Sequence, residues 1–272
     1  MLDTNLIKEK ANNMRMAALE AIHCAGSGHP GGSLSAADIV ATLYFYKMRV
    51  DVANPRWAER DRFVLSKGHA CPILYAALGE KGFFPKADLR NLRKLDCHLQ
   101  GHPDMKNTPG LDMSTGSLGQ GVSAAVGMAY AAKLDKLAYK VYCLLGCGEC
   151  QEGQVWEAAM SAGHFKLDNL VAIVDNNHLQ IDGTNECVMC NGDVGLKFKA
   201  NGWHVIYVDG HDIEQIAKAL DDADHQGKPV AIIAETVKGK GISFMENQVD
   251  WHGKAPSEAE LAKALVELGG AK

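Results

Sequence analysis

Four histidines stand in glycine-flanked turns: SGHPGG at Ser27 to Gly32, SKGHA at Ser66 to Ala70, QGHPD at Gln100 to Asp104 and DWHG at Asp250 to Gly253. Histidine has the side chain whose ordinary pKa lies nearest neutrality, so it can donate, accept or relay a proton. A lone loop histidine is usually solvated or structural, but four in turns of this kind favour a reactive site. A second constellation runs from Leu144 to Gly183 and reads as strand, glycine turn, helix, strand and asparagine loop. Gly146 and Gly148 are expected to let the backbone turn sharply and approach a ligand closely. The N–H groups of the first helical turn, near Gln151 and Glu152, suit an anion. The second strand delivers Asn176 and Asn177 beside the glycine turn, at the carboxyl edge where open α/β sheets bind ligands. The chemistry on offer is phosphate binding next to proton carriers.

Cysteine spacing offers a competing chemistry. Cys147 with Cys150 and Cys187 with Cys190 form two CxxC pairs, a pattern that suits tetrahedral zinc or an iron–sulfur cluster. The alternative is four reduced thiols, with Cys150 packed behind the loop as a small hydrophobe. Cys143 reads as core, and Cys24, Cys71 and Cys97 lack ligand-like spacing. Eight cysteines in a chain this large, without an export signal, do not suggest a disulfide framework.

The elements that must position these residues alternate regularly. Ile7, Ala11, Met14, Ala18 and Ala21, with Ile22 beside them, fall at spacings of four and three and predict an opening helix ended by the glycines from Gly26. Ser35 and Asp38 have capping-box spacing ahead of a second helix carrying Ile39, Leu43 and Tyr46. Short apolar runs predict strands at 62–65, 141–145, 170–174, 204–208 and 230–234. Helices are expected at 70–78, 118–134, 152–165, 212–223 and after Ser257. Strand and helix in alternation, joined by right-handed crossovers, give an α/β fold with a doubly wound parallel sheet. With no linker in sight, residues 1–272 are expected to form a single domain.

Composition narrows the class. The chain has 272 residues, 47% hydrophobic and 22% charged, enough for a large core. Its formal net charge is −5, and its lysines and arginines are scattered, so neither nucleic acid nor an anionic membrane is an expected partner. No apolar run approaches the roughly twenty residues that span a bilayer. The first residues lack the apolar core of a secretory signal, and a cytoplasmic protein is expected.

GCGE followed about thirty positions later by Asn-Asn resembles the thiamine diphosphate motif, in which a Gly-Asp-Gly precedes the asparagines. With the four histidine turns, TPGLDMSTGSLGQG at Thr108 to Gly121 and VKGKGISFMENQVDWHG at Val237 to Gly253, the chain is similar to the amino-terminal domain of transketolase over roughly residues 5 to 265. A 1-deoxyxylulose-phosphate-synthase reading is weaker, because SGHPGG and VDWHG look more like transketolase.

The resemblance implies thiamine diphosphate with Mg²⁺ or Ca²⁺ as cofactors. The metal would be held by position 147, the Asn177 side chain and the Leu179 carbonyl, with Cys147 standing where the family has its aspartate. It also implies that His29, His69, His102 and His252 surround the reacting sugar, with His69 and His252 near the diphosphate. Gly116, Ser117 and Leu118 would touch the aminopyrimidine, Gly146, Gly148 and Glu149 the diphosphate, and Ile181 the thiazolium. Glu152 and Glu157 would join a glutamate network that connects two active sites; as plain helix residues they would be a solvated first turn.

Full-length transketolases add a second domain that supplies a glutamate to the cofactor, so a partner subunit carrying the pyrimidine domain is implied, in an α2β2 assembly. The pair would move a two-carbon ketol unit from a ketose to an aldose. The cofactor supplies the carbanion chemistry, and the protein positions it. A cofactor-poor subunit with a four-cysteine metal or redox role is the alternative.

Overall fold

The computed structural model describes residues 2–269; the ends of the expected 1–272 unit, Met1 and 270–272, lie outside the described residues. Five parallel strands form the central sheet: β1 (Arg62–Leu65), β2 (Val141–Gly146), β3 (Leu170–Asn176), β6 (His204–Asp209) and β7 (Val230–Glu235), in the order β1-β2-β3-β7-β6. β1, β2, β3 and β7 are short, largely buried apolar runs because both faces of the sheet are covered there, whereas the edge strand β6 is only partly buried. Alternate residues feed two cores. Phe63, Tyr142, Leu144, Val171, Ile173 and Ile232 point to one, and Val64, Cys143, Leu145, Ala172, Val174 and Ile233 to the other.

Helices α1 (Thr4–Ala25), α3 (Ala37–Thr42), α4 (Cys71–Lys81) and α9 (Ile213–Asp222) contribute to the first core, and α5 (Gln120–Leu134), α6 (Gly153–His164) and α8 (Val194–Ala200) to the second. This is the doubly wound arrangement expected from the alternation of elements. α1 buries the predicted stripe from Ile7 to Ile22 and stops at Gly26, whose φ of 61° is left-handed. α10 (Glu258–Glu267) starts on a true capping box, Ser257 with Glu260. Among the described residues no helix is long and apolar enough to cross a membrane.

The capping box expected at Ser35 and Asp38 is absent. Ser35 ends a short helix α2 (Pro30–Ser35), α3 begins after Ala36 with no side-chain cap, and the Ser35 hydroxyl is turned inward to donate to Asp175 (2.5 Å). Asp38 instead faces Arg15 and His211. Past Thr42 the second helix loosens into a π turn, Leu43–Lys47. The segment after β3 holds structure that periodicity did not indicate: a small hairpin of β4 (Leu179–Gln180) and β5 (Gly183–Thr184), a one-turn helix α7 (Asn185–Val188), and α8.

Candidate active site

The carboxyl ends of β1, β2, β3 and β7 open into a cleft of about 380 Å³, within the roughly 300–1,000 Å³ range of small-molecule sites. After β1 come Lys67 and His69, after β2 the turn Gly146 to Gly148, after β3 Asn177, and after β7 Lys238, all lining the cleft. The structure thus gathers segments up to 170 positions apart, because a parallel sheet presents every strand's carboxyl end on one edge.

The four histidines converge. Ring centroids lie 5.2 Å apart for His29 and His69, 5.5 Å for His29 and His252, 5.2 Å for His69 and His252, and 6.4 Å for His29 and His102. Their turns are more ordered than loops: His29 precedes α2, while His69 and His252 lie in 3₁₀ turns. Burial lowers the pKa of all four, and neighbouring cations add to it. His29 falls to about 4, with Arg93, His102 and Lys238 also contributing; His252 falls to about 3, with Lys238 next in weight. His69 is lowered well below its ordinary value by burial and Lys67, and His102 is lowered by burial and Arg93. Neutral imidazoles therefore line the cleft, each able to donate at one ring nitrogen and accept at the other. Lys238 Nζ donates to His252 Nδ1 (2.9 Å), which leaves the ring proton on Nε2. His29 Nδ1 is buried without a partner, a group that a ligand hydroxyl would satisfy.

Two lysines that the sequence reading did not single out dominate the charge. Lys67 and Lys238 are 1% and 2% exposed. Lys67 donates to the Gly32 carbonyl (2.7 Å) and to Asp175, which also accepts from Ser35 and Thr236. These donors hold the Asp175 carboxyl below its ordinary range despite complete burial. Lys238 has no acidic partner among the described residues, and burial, with Lys67 nearby, pushes it down to about 8. A buried ammonium without a carboxylate, on the wall of a cleft, suits an anionic ligand. The sequence signal was present, since both lysines sit inside the quoted SKGHA and VKGKG motifs. A lysine beside a glycine ordinarily reads as solvated.

Glu149 lines the cleft but works as a brace. Its buried carboxylate accepts from the Gly119 N–H (2.8 Å), the Gly146 N–H (3.1 Å) and the Ser66 hydroxyl, tying three turns together. Burial raises its pKa. Gly146 and Gly148 are not left-handed, so the sharp-turn reason expected for them does not hold; a Cβ on Gly148 would instead press to 3.3 Å from Gln180 Cβ. Gly68, next to His69, is a glycine required by close approach: a Cβ there would lie 2.7 Å from Thr115 Oγ1 and 2.8 Å from the Gly116 N–H. The anion-binding helix start expected near Gln151 is displaced too: residues 148–151 form a 3₁₀ turn and α6 starts at Gly153, after Glu152.

Gly116, Leu118, Glu152, Leu179 and Ile181 also line the cleft, whereas Ser117 does not and is exposed. Glu152 and Glu157 are both exposed. Of the asparagine pair only Asn177 faces inward; Asn176 donates to Glu235 (2.6 Å). His178 is left-handed at φ 60°, which lets the Leu179 N–H reach back to Asn177 Oδ1 (3.1 Å). Arg93, also left-handed at φ 62°, joins two histidine turns by donating to Ser27 Oγ (3.1 Å) and to the Gly101 carbonyl (3.3 Å).

The four-cysteine site does not form. Cys147 and Cys150 are buried behind the turn, whereas Cys187 and Cys190 lie exposed on and after α7, and all are free thiols. Among the described residues no three His, Cys, Asp or Glu side chains converge to hold a metal ion. The hairpin β4 to β5 is the physical reason, because it carries the second pair outward. At the metal position that the resemblance implies, Cys147 Sγ lies 3.9 Å from Asn177 Oδ1, and burial pushes the thiol pKa up.

A family profile described as "Transketolase, thiamine diphosphate binding domain" matches residues 6–271. Mouse transketolase is 49% identical over 265 residues, which is 96% of this chain and 41% of that protein. The chain thus spans about two fifths of the length of that relative. A Clostridium protein named 6-deoxy-6-sulfo-D-fructose transketolase subunit is 47% identical over 263 residues, 96% of each chain. Among solved structures, Campylobacter jejuni transketolase superposes with a TM-score of 0.94 at 38% identity, covering 99% of this chain and 43% of that one. The sequence motifs, the sheet and the cleft agree with these matches, and the chain belongs to the transketolase family, to its thiamine diphosphate binding domain.

Proposed function

We propose that the chain is the diphosphate-binding subunit of a split, thiamine-diphosphate-dependent transketolase. In this reading it moves a two-carbon ketol unit from a ketose, usually phosphorylated, to an aldose, with a separate pyrimidine-domain subunit in an α2β2 assembly. The observation that carries the reading is Lys238, a buried cation without an acidic partner among the described residues, set with His29, His69 and His252 in one cleft whose fourth histidine, His102, lies beside His29. The near-equal length of the Clostridium relative, itself named a subunit, supports a separately encoded chain of this size acting as one unit. A cytoplasmic place of work is part of this reading.

The residues fit thiamine diphosphate. Lys238 offers positive charge in the cleft, Gly148 leaves room at the turn, and Gly116, Leu118 and Ile181 give walls for rings. When bound, the cofactor supplies the carbanion chemistry. The chain's own part is to hold the anion, exclude water and manage protons. His252, with its proton fixed on Nε2 by Lys238, is a donor toward the cleft, and His29 Nδ1 is available to a sugar hydroxyl. His102, outside the cleft lining but 6.4 Å from His29, would meet the far end of the sugar, and Glu152, exposed on the cleft wall, would meet a partner chain.

Calorimetry with thiamine diphosphate, on the chain alone and on the chain with its partner, tests the cofactor reading, and absence of binding in both refutes it. Ketol transfer is expected only with the partner, assayed with fructose 6-phosphate and with 6-deoxy-6-sulfo-D-fructose as donors; turnover by the chain alone refutes the split reading.

A further inference from the structure

The divalent cation that the family resemblance implies does not fit the donor set found here. Mg²⁺ and Ca²⁺ take hard oxygen ligands, carboxylates above all. Position 147 offers a buried thiol, a poor ligand for either ion. The Asn177 amide oxygen already accepts the Leu179 N–H. Of the carboxylates that could compensate, Glu152 and Asp182 lie exposed on the cleft wall and join no group of three ligating side chains placed to hold a metal among the described residues, and the two buried ones are engaged elsewhere. Asp175 is held by Lys67, Ser35 and Thr236, and Glu149 by two backbone N–H groups and Ser66. A soft metal fares no better, because Cys187 and Cys190 are on the surface and, among the described residues, no three His, Cys, Asp or Glu side chains are placed to hold a metal ion.

Charge is nevertheless available at the site. A metal would neutralise the diphosphate and bridge it to the protein; here Lys238 stands in the same cleft without an acidic partner. Its neighbour Lys67 is already neutralised by Asp175, so the pair of lysines and the one aspartate leave one net positive charge beneath the ligand. An ammonium donates to phosphate oxygens as a point charge and needs no coordination geometry.

We propose that this chain holds the diphosphate of its cofactor without a resident divalent cation, with Lys238 supplying the positive charge that the metal would bring. The proposal rests on the thiamine diphosphate reading above. It assigns Cys147 as the residue that removes the metal from the site.

The test is titration calorimetry of the chain assembled with its pyrimidine-domain partner, with thiamine diphosphate in three buffers: with a chelator, with millimolar Mg²⁺ or Ca²⁺, and with micromolar Zn²⁺. The expected result is a Kd that agrees within about twofold across all three, with no metal retained by elemental analysis. Cys147→Asp is expected to restore metal dependence, binding tighter by tenfold or more only when Mg²⁺ is present; a melting curve checks that this variant is folded. An affinity of the wild-type chain that rises tenfold or more with Mg²⁺, Ca²⁺ or Zn²⁺ overturns the proposal and leaves the cofactor reading standing. Absence of binding in every buffer overturns the cofactor reading and the proposal with it.

Discussion

Replacing Asp175 by Asn probes how the cleft is held in shape. The carboxylate is fully buried at the end of β3 and accepts from three donors, the Lys67 ammonium and the hydroxyls of Ser35 and Thr236. The amide keeps the volume but turns one acceptor into a donor facing donors, and it strands an ammonium that is 1% exposed, with the Gly32 carbonyl as its remaining partner. Removing one member of a buried ion pair costs about 3–5 kcal/mol. With an unfolding entropy of roughly 2 cal/mol/K per residue over 272 residues, that is a fall in Tm of about 5–9 °C.

The assay is a thermal melt near pH 7, followed by circular dichroism and repeated against urea. The folded pKa of Asp175 lies below its unfolded value, so its contribution is complete above the unfolded pKa of about 3.9 and is lost as pH falls through the folded one. The gap between wild type and variant should hold steady at neutral pH and close in acid. Asp175→Leu with Lys67→Met, which replaces both charges, should recover much of the loss. A Tm within about 1 °C of wild type for Asp175→Asn, at a precision set by about 0.6 kcal/mol per degree, refutes the reasoning.

Gly68→Ala should lower stability by about 1–3 kcal/mol, read by the same melt, because the new Cβ meets Thr115 and the Gly116 backbone at under 3 Å. Arg93→Gln removes the cation beside His29 and His102, so NMR titration should find both ring pKa values raised toward the ordinary 6.5; unchanged values would show that burial alone sets them. Binding of inorganic pyrophosphate should be strongest below pH 8 and weaken as Lys238 loses its proton above about 8, a loss that Lys238→Met should abolish while weakening binding tenfold or more. Equal pyrophosphate affinity in wild type and Lys238→Met would remove Lys238 from the anion site.

How much was legible in the sequence follows from the range of the interactions involved. The inner strands were readable because a strand covered on both faces must be apolar throughout, and runs such as 141–145 and 170–174 are continuous; the edge strand β6 was readable from its valines, isoleucine and tyrosine although it is only partly buried. α1 was readable because one helix face alone carries its burial. The site was readable as glycine and histidine turns because loops at a sheet edge need glycines wherever another backbone comes close, as at Gly68. The inward turn of Ser35 was not readable, since its spacing to Asp38 is local while its partner lies 140 positions away on β3. The same holds for Glu149, which the resemblance placed at the diphosphate and whose donors come from three separate turns. The hairpin β4 to β5 is only two residues per strand, too short for periodicity to register, and its outward course separated the two cysteine pairs.

The two buried lysines show why the site could not be read from residue types alone. Both are nearly inaccessible, both line the cleft, and both precede a glycine, yet their electrostatic situations differ through one residue. Asp175 lies at the end of β3, next to β7, and its carboxylate is taken by Lys67 from the β1 side and Thr236 from the β7 side. Lys67 therefore sits in a neutral, fully bonded cluster whose consequence is rigidity. Lys238 is left with an imidazole nitrogen, which accepts a hydrogen bond but brings no opposite charge. Burying an uncompensated ammonium is unfavourable in the unliganded chain, and an anion in the cleft reverses that penalty at the place where binding is wanted. The rigid pair fixes where the turns stand, and the unpaired lysine makes the cleft selective for a negative ligand. Exchanging these roles would need only a different partner for Asp175, so a contact on a neighbouring strand assigns each lysine its part.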